Sequence, residues 1–266
     1  IINMYRELDR CTIYLLHKLR PVSDRRALLL NIIFYRFFNR DQLYEELGVV
    51  PFSSLDLSLR DDLICKLSLL KETQPIFNSA YLISSGGRGV KHAHILYALC
   101  ALDLSALLAR LDACVTPEAS LKVLMQVPMV GPFLACEIWT DLTYFHFFVQ
   151  GWTDADFVNI GPGAQWGLRL LYGKLSSQDS WQRLLYLSRV QHEILPTINL
   201  TVSSSLSWQD IAYSNAFSSY PFLSLTNIEG ALCEFRKYWR ISCGVGRRKY
   251  FVPSTQPLNT LSFLHF

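Results

Sequence analysis

Asp141 and Glu137 are the first pair of side chains whose types and spacing suit chemistry. Asp141 follows Ile138 by three residues and Leu134 by seven, so on a helix it projects from the apolar face. Glu137, four residues earlier, lies on the same side. Two acids this close push their pKa values apart, which general acid and base catalysis can use. The alternative is a buried acid bonded to backbone N–H groups or to an arginine, and the sequence leaves both open.

Arg36, Asn39 and Arg40 place two cations and an amide at the C-terminal end of an apolar helix. The helix dipole stabilises cations there, which is a sufficient structural explanation for the arginines. The Asn39 amide, set between aromatics and arginines, is also suited to hydrogen-bonding a base edge. We therefore predict a nucleic-acid contact at these three residues.

A Pro-x-Val-Gly-Pro turn at residues 128–132 joins two helical patterns. Upstream, Thr116 followed by proline and glutamate predicts a capped helix start. Downstream, the Gly-Pro pair predicts a second helix whose first N–H groups could receive a phosphate oxygen. This is the shape of a helix-hairpin-helix, so we predict DNA contacts at Val130, Gly131 and Phe133. An ordinary loop between two core helices explains the turn equally well.

A second turn, Gly161-Pro162-Gly163-Ala164, also presents N–H groups at a helix start. Gly163 would allow a phosphate to approach closely, so we predict DNA contacts at Gly161 and Gly163. A simple tight helix start would use the same residues.

Basic residues interleaved with aromatics form a cluster near the end of the chain. Phosphate contact combined with base stacking requires this mixture, whereas a solvated helix face accounts for a charge run alone. Together with the two turns, the cluster favours nucleic-acid binding. Its basic members are Arg236, Lys237, Arg240, Arg247, Arg248 and Lys249, and we assign DNA contacts to the last three.

The composition indicates a folded chain without a membrane span. Half of the 266 residues are hydrophobic and 13% are aromatic, which disfavours disorder. No apolar run reaches the roughly 18 residues needed to cross a bilayer. The net charge of +3 is too small to identify a nucleic-acid binder, so a basic surface must be local.

The seven cysteines contain no Cys-x-x-Cys pair, and neither they nor His92 and His94 complete a zinc set. We predict no metal and no cofactor. Most of these cysteines have apolar neighbours, which is typical of reduced thiols, so we expect an intracellular protein, nuclear if the organism is a eukaryote.

Helical patterns dominate the chain, and strand patterns are scarce. The apolar residues 24–38, capped by Ser23, should run through the core, and residues 91–111 should form one long helix. The fold class is therefore mainly α. We predict a single helical domain over residues 1–266, and the start at Ile1 indicates a piece of a longer protein. Further predicted elements are helices at 3–19, 41–47, 60–71, 176–192 and 227–241, capping boxes at 207–210 and 226–229, and a weak strand at 249–252.

Six segments, in the same order and spread over most of the chain, resemble one family. The chain is similar to the helical domain of 5-hydroxymethyl-deoxyuridine DNA kinases and to the related α-glutamyl/putrescinyl-thymine pyrophosphorylases of phage and related DNA-hypermodification systems. Their helical fold resembles that of helix-hairpin-helix DNA glycosylases. The segments are NMYRELDRCTIYLL at 3–16, FYRFFNR at 34–40, PIFNSAYLI at 75–83, VGPFLACEIWTDLTY at 130–144, DFVNIGPGAQWGL at 156–168 and IEGALCEFRKY at 228–238.

The pyrophosphorylase resemblance implies a reaction on DNA. Pyrophosphorylated 5-hydroxymethyluracil would lose pyrophosphate while an amino acid or polyamine takes its place. Asp141 or Asp156 would deprotonate the amine, and Lys237 with Arg36 would neutralise the departing pyrophosphate. The resemblance adds Glu234 to the catalytic residues. It also implies modified DNA and an amine as partners, and a separate DNA kinase because no P-loop is present.

The chain departs from the family pattern at several positions. Gln165 and Trp166 stand where arginines are expected, Asn227 where an acid is expected, and Met129 where hairpins usually carry glycine. The first departure weakens the phosphate contact predicted at the Gly161–Ala164 turn, and the last weakens the expectation of a tight hairpin turn.

Three other functions remain open. A non-catalytic module could recruit a modification enzyme to hydroxymethylated bases, and a purely structural helical domain would bind no DNA. A DNA glycosylase would need an aspartate where the Gly161-Pro162-Gly163-Ala164 turn stands, and Asp154 and Asp156 lie upstream of that place.

Overall fold

The computed structural model describes residues 4–79, 89–197, 199–201, 205–207 and 222–245. These residues are mainly helical, as predicted. The strands among them are β1 (Asn199–Thr201) and β2 (Ser205–Ser207), which pair antiparallel. The chain divides into two compact units, which we call the hairpin unit (Arg10–Thr153) and the C-terminal unit (Ile1–Asp9 with Asp154–Phe266). The single domain over residues 1–266 stays a prediction.

No single described helix is long and apolar enough to cross a membrane. Among the helices that the structure describes, one bent pair, Lys91–Cys100 with Leu104–Asp112, reaches the required length and apolar content when its two helices are taken together.

The described part of the hairpin unit consists of helices and the loops between them. In chain order they are α1 (Arg10–Leu19), α2 (Arg25–Phe38), α3 (Asp41–Leu47), α4 (Leu57–Thr73), α5 (Lys91–Cys100), α6 (Leu104–Asp112), α7 (Pro117–Leu124) and α8 (Pro132–Tyr144).

Helix α2 runs through the core of the hairpin unit because its residues 27–38 are all buried. The Asp24 carboxylate accepts the Arg26 N–H at 3.0 Å, so Asp24 is the cap, and the prediction that Ser23 caps this helix is wrong. Arg25 donates to both carboxylate oxygens of Asp112, at 3.0 and 2.6 Å. This pair ties the start of α2 to the end of α6.

Two predicted helices are interrupted at aspartates. Residues 91–111 form α5 and α6 rather than one helix, because the Asp103 carboxylate accepts the Ala106 N–H at 2.9 Å and starts a new helix. Residues 3–19 break at Asp9, whose backbone is extended, so a short 3-10 turn precedes α1. The prediction of a continuous helix is wrong in both places.

Helices α7 and α8 form the predicted pair on either side of the turn. Thr116 caps α7 by accepting the Ala119 N–H at 3.2 Å, as predicted. The fully buried Trp139 of α8 donates from Nε1 to the Ser120 Oγ of α7 at 2.8 Å. This hydrogen bond fixes the two helices against each other behind the turn.

The described part of the C-terminal unit contains further helices besides β1 and β2. Helix α11 begins earlier than predicted because Ser224 accepts the Asn227 N–H at 3.1 Å and caps it, so the capping box predicted at Thr226 is wrong. The elements are 3-10 turns at Arg6–Leu8 and Leu195–Thr197, α9 (Pro162–Tyr172), α10 (Ser177–Ile194) and α11 (Leu225–Ser242).

Helices α9 and α11 pack closely because α9 presents glycines to α11. A Cβ atom on Gly163 would lie 2.3 Å from the Cys233 Sγ, and one on Gly167 would lie 2.9 Å from the Leu232 carbonyl oxygen. A side chain at Gly163 would displace the Cys233 side chain, and one at Gly167 would displace the α11 backbone. The glycines therefore set the distance between these two helices.

Several predicted features lie outside the described residues. They are the capping box at 207–210, the strand at 249–252, and the basic residues Arg247, Arg248 and Lys249.

Replacing Gly163 by alanine should destabilise the C-terminal unit, because the new methyl group would overlap the Cys233 Sγ. We expect the free energy of unfolding in urea to fall by about 1–3 kcal/mol. Gly230→Ala in α11 is the matched control, since a Cβ there meets nothing within 4 Å. Its higher helix propensity should raise stability by about 0.5–1 kcal/mol. Equal free energies of unfolding for the two variants would contradict the claim that Gly163 sets the distance between α9 and α11.

Candidate functional site

A buried ion pair joins α2 to α8 in the hairpin unit. The Arg36 Nε and Nη2 donate to the two carboxylate oxygens of Asp141 at 2.5 and 2.6 Å, and both side chains are completely buried. The Arg36 Nη2 also donates to the Thr12 Oγ1 of α1 at 3.1 Å, and the Glu137 Oε2 lies 3.6 Å from Nη1. The arginine partner considered for Asp141 in the sequence is thus present.

This burial changes the role expected for Arg36. A fully buried guanidinium offers no surface to a DNA backbone or to a departing pyrophosphate. We therefore reassign Arg36 from a DNA contact to a residue that positions its neighbours. Asp141 has both oxygens on the same guanidinium, so its geometry is that of a structural counter-ion.

The Arg36 guanidinium also fixes the side chain of Asn39, which ends α2. Its Nη1 donates to the Asn39 Oδ1 at 2.9 Å. The Asn39 backbone is left-handed, with φ of 49°, a conformation that asparagine tolerates better than most residues. The Asn78 Nδ2 donates to the Asn39 carbonyl at 3.1 Å, which holds this backbone from the other side. Asn39 is 4% exposed.

Arg40, the next residue, is half-buried and precedes α3. Its Nε is buried without a hydrogen-bond partner, and its guanidinium joins none of the ion pairs found in the described part of the chain. A cation that lacks a protein anion is a candidate for binding an anionic ligand. Of the three predicted nucleic-acid contacts at this helix end, those of Asn39 and Arg40 stay predictions.

The turn between α7 and α8 has a left-handed residue before its Val-Gly-Pro segment. Met129 adopts a left-handed backbone, with φ of 67°, at the place where hairpins usually carry glycine. Gly131 is the N-cap of α8 and supplies no side-chain cap. Gly131 is exposed, and Phe133 is 55% exposed.

Val130 does not belong to this exposed surface. Its side chain is 5% exposed, and its N–H donates to the Val127 carbonyl at 3.0 Å inside the turn. The predicted DNA contact at Val130 is corrected accordingly: this residue shapes the turn.

The second Gly-Pro turn is filled by the protein itself. The Glu229 Oε1 accepts the Gly161 N–H at 2.9 Å, so a carboxylate already occupies the positive end of α9. Gly163 is buried against Cys233 of α11. The predicted phosphate contacts at Gly161 and Gly163 are therefore replaced by an internal acid and by helix packing.

The remaining predicted catalytic residues lie in the C-terminal unit. Asp156 is exposed. Glu234 and Lys237 form an ion pair with each other, three residues apart on α11, and the Lys237 side chain is 64% exposed. Such surface pairs contribute little to stability. The catalytic roles of these three residues stay predictions.

The sequence analysis missed a group of buried polar side chains at the start of α11. Glu7 and Asp154 are each 7% exposed. The Asn227 Nδ2 donates to the Glu7 Oε2 at 3.1 Å, and its Oδ1 accepts the Arg6 N–H at 2.6 Å. The sequence analysis noted Asn227 only as a departure from the family pattern. In the structure it joins the N-terminal segment of this unit, through Arg6 and Glu7, to α11.

Burial raises the pKa of the Glu7 and Asp154 carboxyls. The charge of Asp154 raises the pKa of Glu7 further, and the charge of Asp156 does the same for Asp154, while hydrogen bonds from Asn227 and Ser224 oppose these shifts. Carboxyl groups in this state hold their protons more tightly than exposed acids do, and such groups occur often at catalytic sites.

His92, one of the two histidines considered for a zinc set, is held inside the protein. His92 is buried, its Nε2 lies 2.9 Å from the Ser68 Oγ, and burial lowers its pKa. Among the described residues, no group of three or more His, Cys, Asp or Glu side chains is arranged to hold a metal ion.

Comparison with known proteins identifies the family. Residues 1–246 match the family model described as the helical domain of 5-hmdU DNA kinase, where 5-hmdU is 5-hydroxymethyl-deoxyuridine. The chain belongs to this family of helical domains. The resemblance to the kinase helical domain seen in the sequence is therefore confirmed.

One curated relative of this helical domain is the 5-hmdU DNA kinase of Bacillus phage SP10. It is 22% identical to this chain, and the match covers 89% of this chain and 38% of the phage protein. The chain thus spans little more than a third of the length of that relative. No solved structure gives a significant match to the helical domain.

Replacing Glu7 by glutamine should stabilise the domain increasingly as the pH rises. A carboxyl whose pKa is raised on folding contributes most favourably below its ordinary value of 4.5, and that contribution is lost as the pH rises through the raised value. Glutamine keeps an oxygen for the Asn227 hydrogen bond and carries no charge. Urea unfolding between about pH 4 and about pH 8 measures this gain.

The exposed Glu193→Gln on α10 is the control and should show no such trend. If the gain in the free energy of unfolding caused by Glu7→Gln stays constant or shrinks as the pH rises, the raised pKa of Glu7 is contradicted.

Proposed function

We propose that this chain is a DNA-binding helical domain that holds 5-hydroxymethyluracil DNA beside a separate kinase. The names of the family and of the phage relative both specify a 5-hmdU DNA kinase. The 266 residues contain no Gly-x-x-x-x-Gly-Lys-Ser/Thr motif, and they match 38% of the phage protein. These facts support a recognition module, one of the alternatives drawn from the sequence.

The observation that carries this proposal is the exposed start of α8. The helix dipole and the first N–H groups of a helix attract anions, and Gly131 supplies no side chain that would occupy them. The start of α9 opens with the same Gly-Pro pair, but there the Glu229 carboxylate accepts the first N–H. The contrast supports α8, and not α9, as the phosphate-binding helix.

Two cations stand on the helices that lead to this turn. Lys122 lies on α7 and Arg110 on α6, and both are exposed. Arg110 donates to the side chain of Gln126, which lies between the end of α7 and the turn. Neutralising DNA phosphates requires such local charges, since the net charge of the chain is only +3. The hairpin turn with Arg110 and Lys122 is the DNA-backbone contact in this proposal.

Replacing Gly131 by aspartate should weaken DNA binding without unfolding the domain. The new carboxylate would cap α8 and repel a phosphate, and a Cβ at Gly131 meets nothing within 4 Å. We expect the affinity for a 5-hydroxymethyluracil duplex, measured by fluorescence anisotropy, to fall about tenfold. The salt dependence of binding should become shallower, because fewer phosphates are neutralised.

Gly131→Asn is the matched control. It caps the same N–H groups without a charge, so it should bind more tightly than the aspartate variant. Unchanged affinity and salt dependence in Gly131→Asp would contradict the assignment of the hairpin. Failure of the unaltered chain to bind any DNA at low salt would leave the purely structural alternative.

We propose amine transfer as the second candidate function, and the raised pKa of Asp154 favours it. An amine nitrogen would attack the methylene carbon on C5 of the base, the bond to the pyrophosphate oxygen would break, and pyrophosphate would leave with the electron pair. A carboxylate with a raised pKa is the stronger base for the proton that the amine loses. Asp156, exposed and two residues away, is the second acid of this proposal.

Incubation with pyrophosphorylated 5-hydroxymethyluracil DNA and putrescine or glutamate distinguishes the two candidates. Amine transfer predicts pyrophosphate release that Asp154→Asn or Asp156→Asn abolishes. The recognition module predicts binding that survives both substitutions and no release of pyrophosphate. Formation of abasic sites on the modified DNA would instead indicate a glycosylase.

A further inference from the structure

We propose that Asn39 selects uracil-type over cytosine-type 5-hydroxymethylated bases by donating a hydrogen bond from Nδ2 to the O4 atom of the base. This inference rests on the proposed DNA-binding function and names the residue that reads the base.

The Asn39 amide can act only as a donor toward a ligand. Its Oδ1 accepts the Arg36 Nη1 at 2.9 Å, and a guanidinium has donors and no acceptor. The amide therefore cannot be turned around, because Nδ2 would then face the Arg36 N–H groups. The acceptor half of Asn39 is used inside the protein, and the donor half faces away from Arg36.

The donor half of Asn39 has no partner in the part of the chain that the structure describes. The hydrogen bonds of its side chain and carbonyl are those with Arg36 and Asn78, together with a weak contact from the Cys11 thiol to its carbonyl. Its Nδ2 is also not among the partnerless side-chain atoms that are sealed from solvent. Asn39, which is 4% exposed, thus keeps a donor that the described residues do not use.

The position of this donor is rigidly set. Arg36 is held by Asp141 and Thr12, and the Asn39 backbone is held by the Asn78 side chain. A recognition group discriminates well only when its own orientation is fixed before binding. The buried ion pair supplies this fixation, which makes Arg36 and Asp141 positioning residues.

A fixed donor distinguishes the two pyrimidines by their substituent at position 4. Uracil and thymine present the O4 acceptor there, whereas cytosine presents the N4 amino group, a donor. Two donors facing each other leave both unsatisfied, which costs more than the loss of one hydrogen bond. Because Asn39 is almost entirely buried, the base reaches it after leaving the helical stack.

Arg40 provides the complementary contact. Its buried Nε has no partner in the described residues, and it directly follows Asn39 in the chain. A guanidinium suits a phosphate oxygen, which is the same in every nucleotide. Arg40 therefore contributes affinity, and Asn39 contributes the choice of base.

The test measures the affinity of the full chain for three oligonucleotides that differ only in one base. The bases are 5-hydroxymethyluracil, 5-hydroxymethylcytosine and unmodified cytosine. The unaltered chain should bind the uracil DNA about tenfold more tightly than the 5-hydroxymethylcytosine DNA. Asn39→Asp keeps an acceptor for Arg36 and replaces the donor by a second acceptor, so the preference for uracil should disappear. Asn39→Gly keeps the left-handed backbone and removes the amide, with the same loss of preference.

Arg40→Ala is the matched control and should lower the affinity for all three oligonucleotides by the same factor. Thermal unfolding shows whether each variant is folded, and Asn39→Asp keeps the test decisive where the glycine variant unfolds. Equal binding of uracil and cytosine DNA by the unaltered chain overturns the role of Asn39 and leaves DNA binding intact. A preference that persists in folded Asn39→Asp overturns it as well. Absence of DNA binding by the unaltered chain overturns both proposals.

Discussion

The ion pair between Arg36 and Asp141 is the constraint on which the hairpin unit depends. Taking both charges out of water is costly, and only the bidentate geometry with further hydrogen bonds offsets that cost. Satisfying Arg36 brings together α1 through Thr12, α2 itself and α8 through Asp141. Helix α8 also carries the hairpin turn at its start, so the orientation of the turn follows from a charge pair in the core. The same guanidinium turns the Asn39 amide so that its donor is left for a ligand.

The C-terminal unit is organised by different means. Gly163 and Gly167 let α9 approach α11 to a distance that a side chain would prevent, and Glu229 of α11 caps the start of α9. The acids Glu7 and Asp154 are buried at the start of α11 with raised pKa values. Burial of these acids opposes stability at neutral pH, as is typical of groups kept for function. The helix start at Gly161 is thus filled by an internal carboxylate, whereas the helix start at Gly131 has no side-chain cap.

The sequence predicted the helical class because apolar residues recur at helical spacing in nearly every segment, and Thr116, Gly131 and Gly161 marked helix starts correctly. It failed where a local side chain competes with the helix, as at Asp103. It also could not tell an exposed Gly-Pro helix start from a filled one, because Glu229 lies far along the chain from Gly161. The burial of Arg36 and Glu7 follows from contacts between distant segments, and no spacing within one helix reveals it. For Asp141 the sequence left two interpretations open, an acid used in catalysis and a buried acid bonded to backbone N–H groups or an arginine. The structure shows the pairing with an arginine.

The role of the ion pair in positioning Asn39 is tested most directly in the double variant Arg36→Met with Asp141→Leu. The quantity to measure is the ratio of its affinities for 5-hydroxymethyluracil DNA and 5-hydroxymethylcytosine DNA. Removing one partner alone leaves a buried charge and should cost about 3–5 kcal/mol, whereas replacing both with apolar residues should restore much of that stability. The folded double variant no longer fixes the Asn39 amide, so the account predicts that the ratio falls to about one. A folded double variant that still prefers the uracil base as strongly as the unaltered chain would contradict the claim that this ion pair positions Asn39.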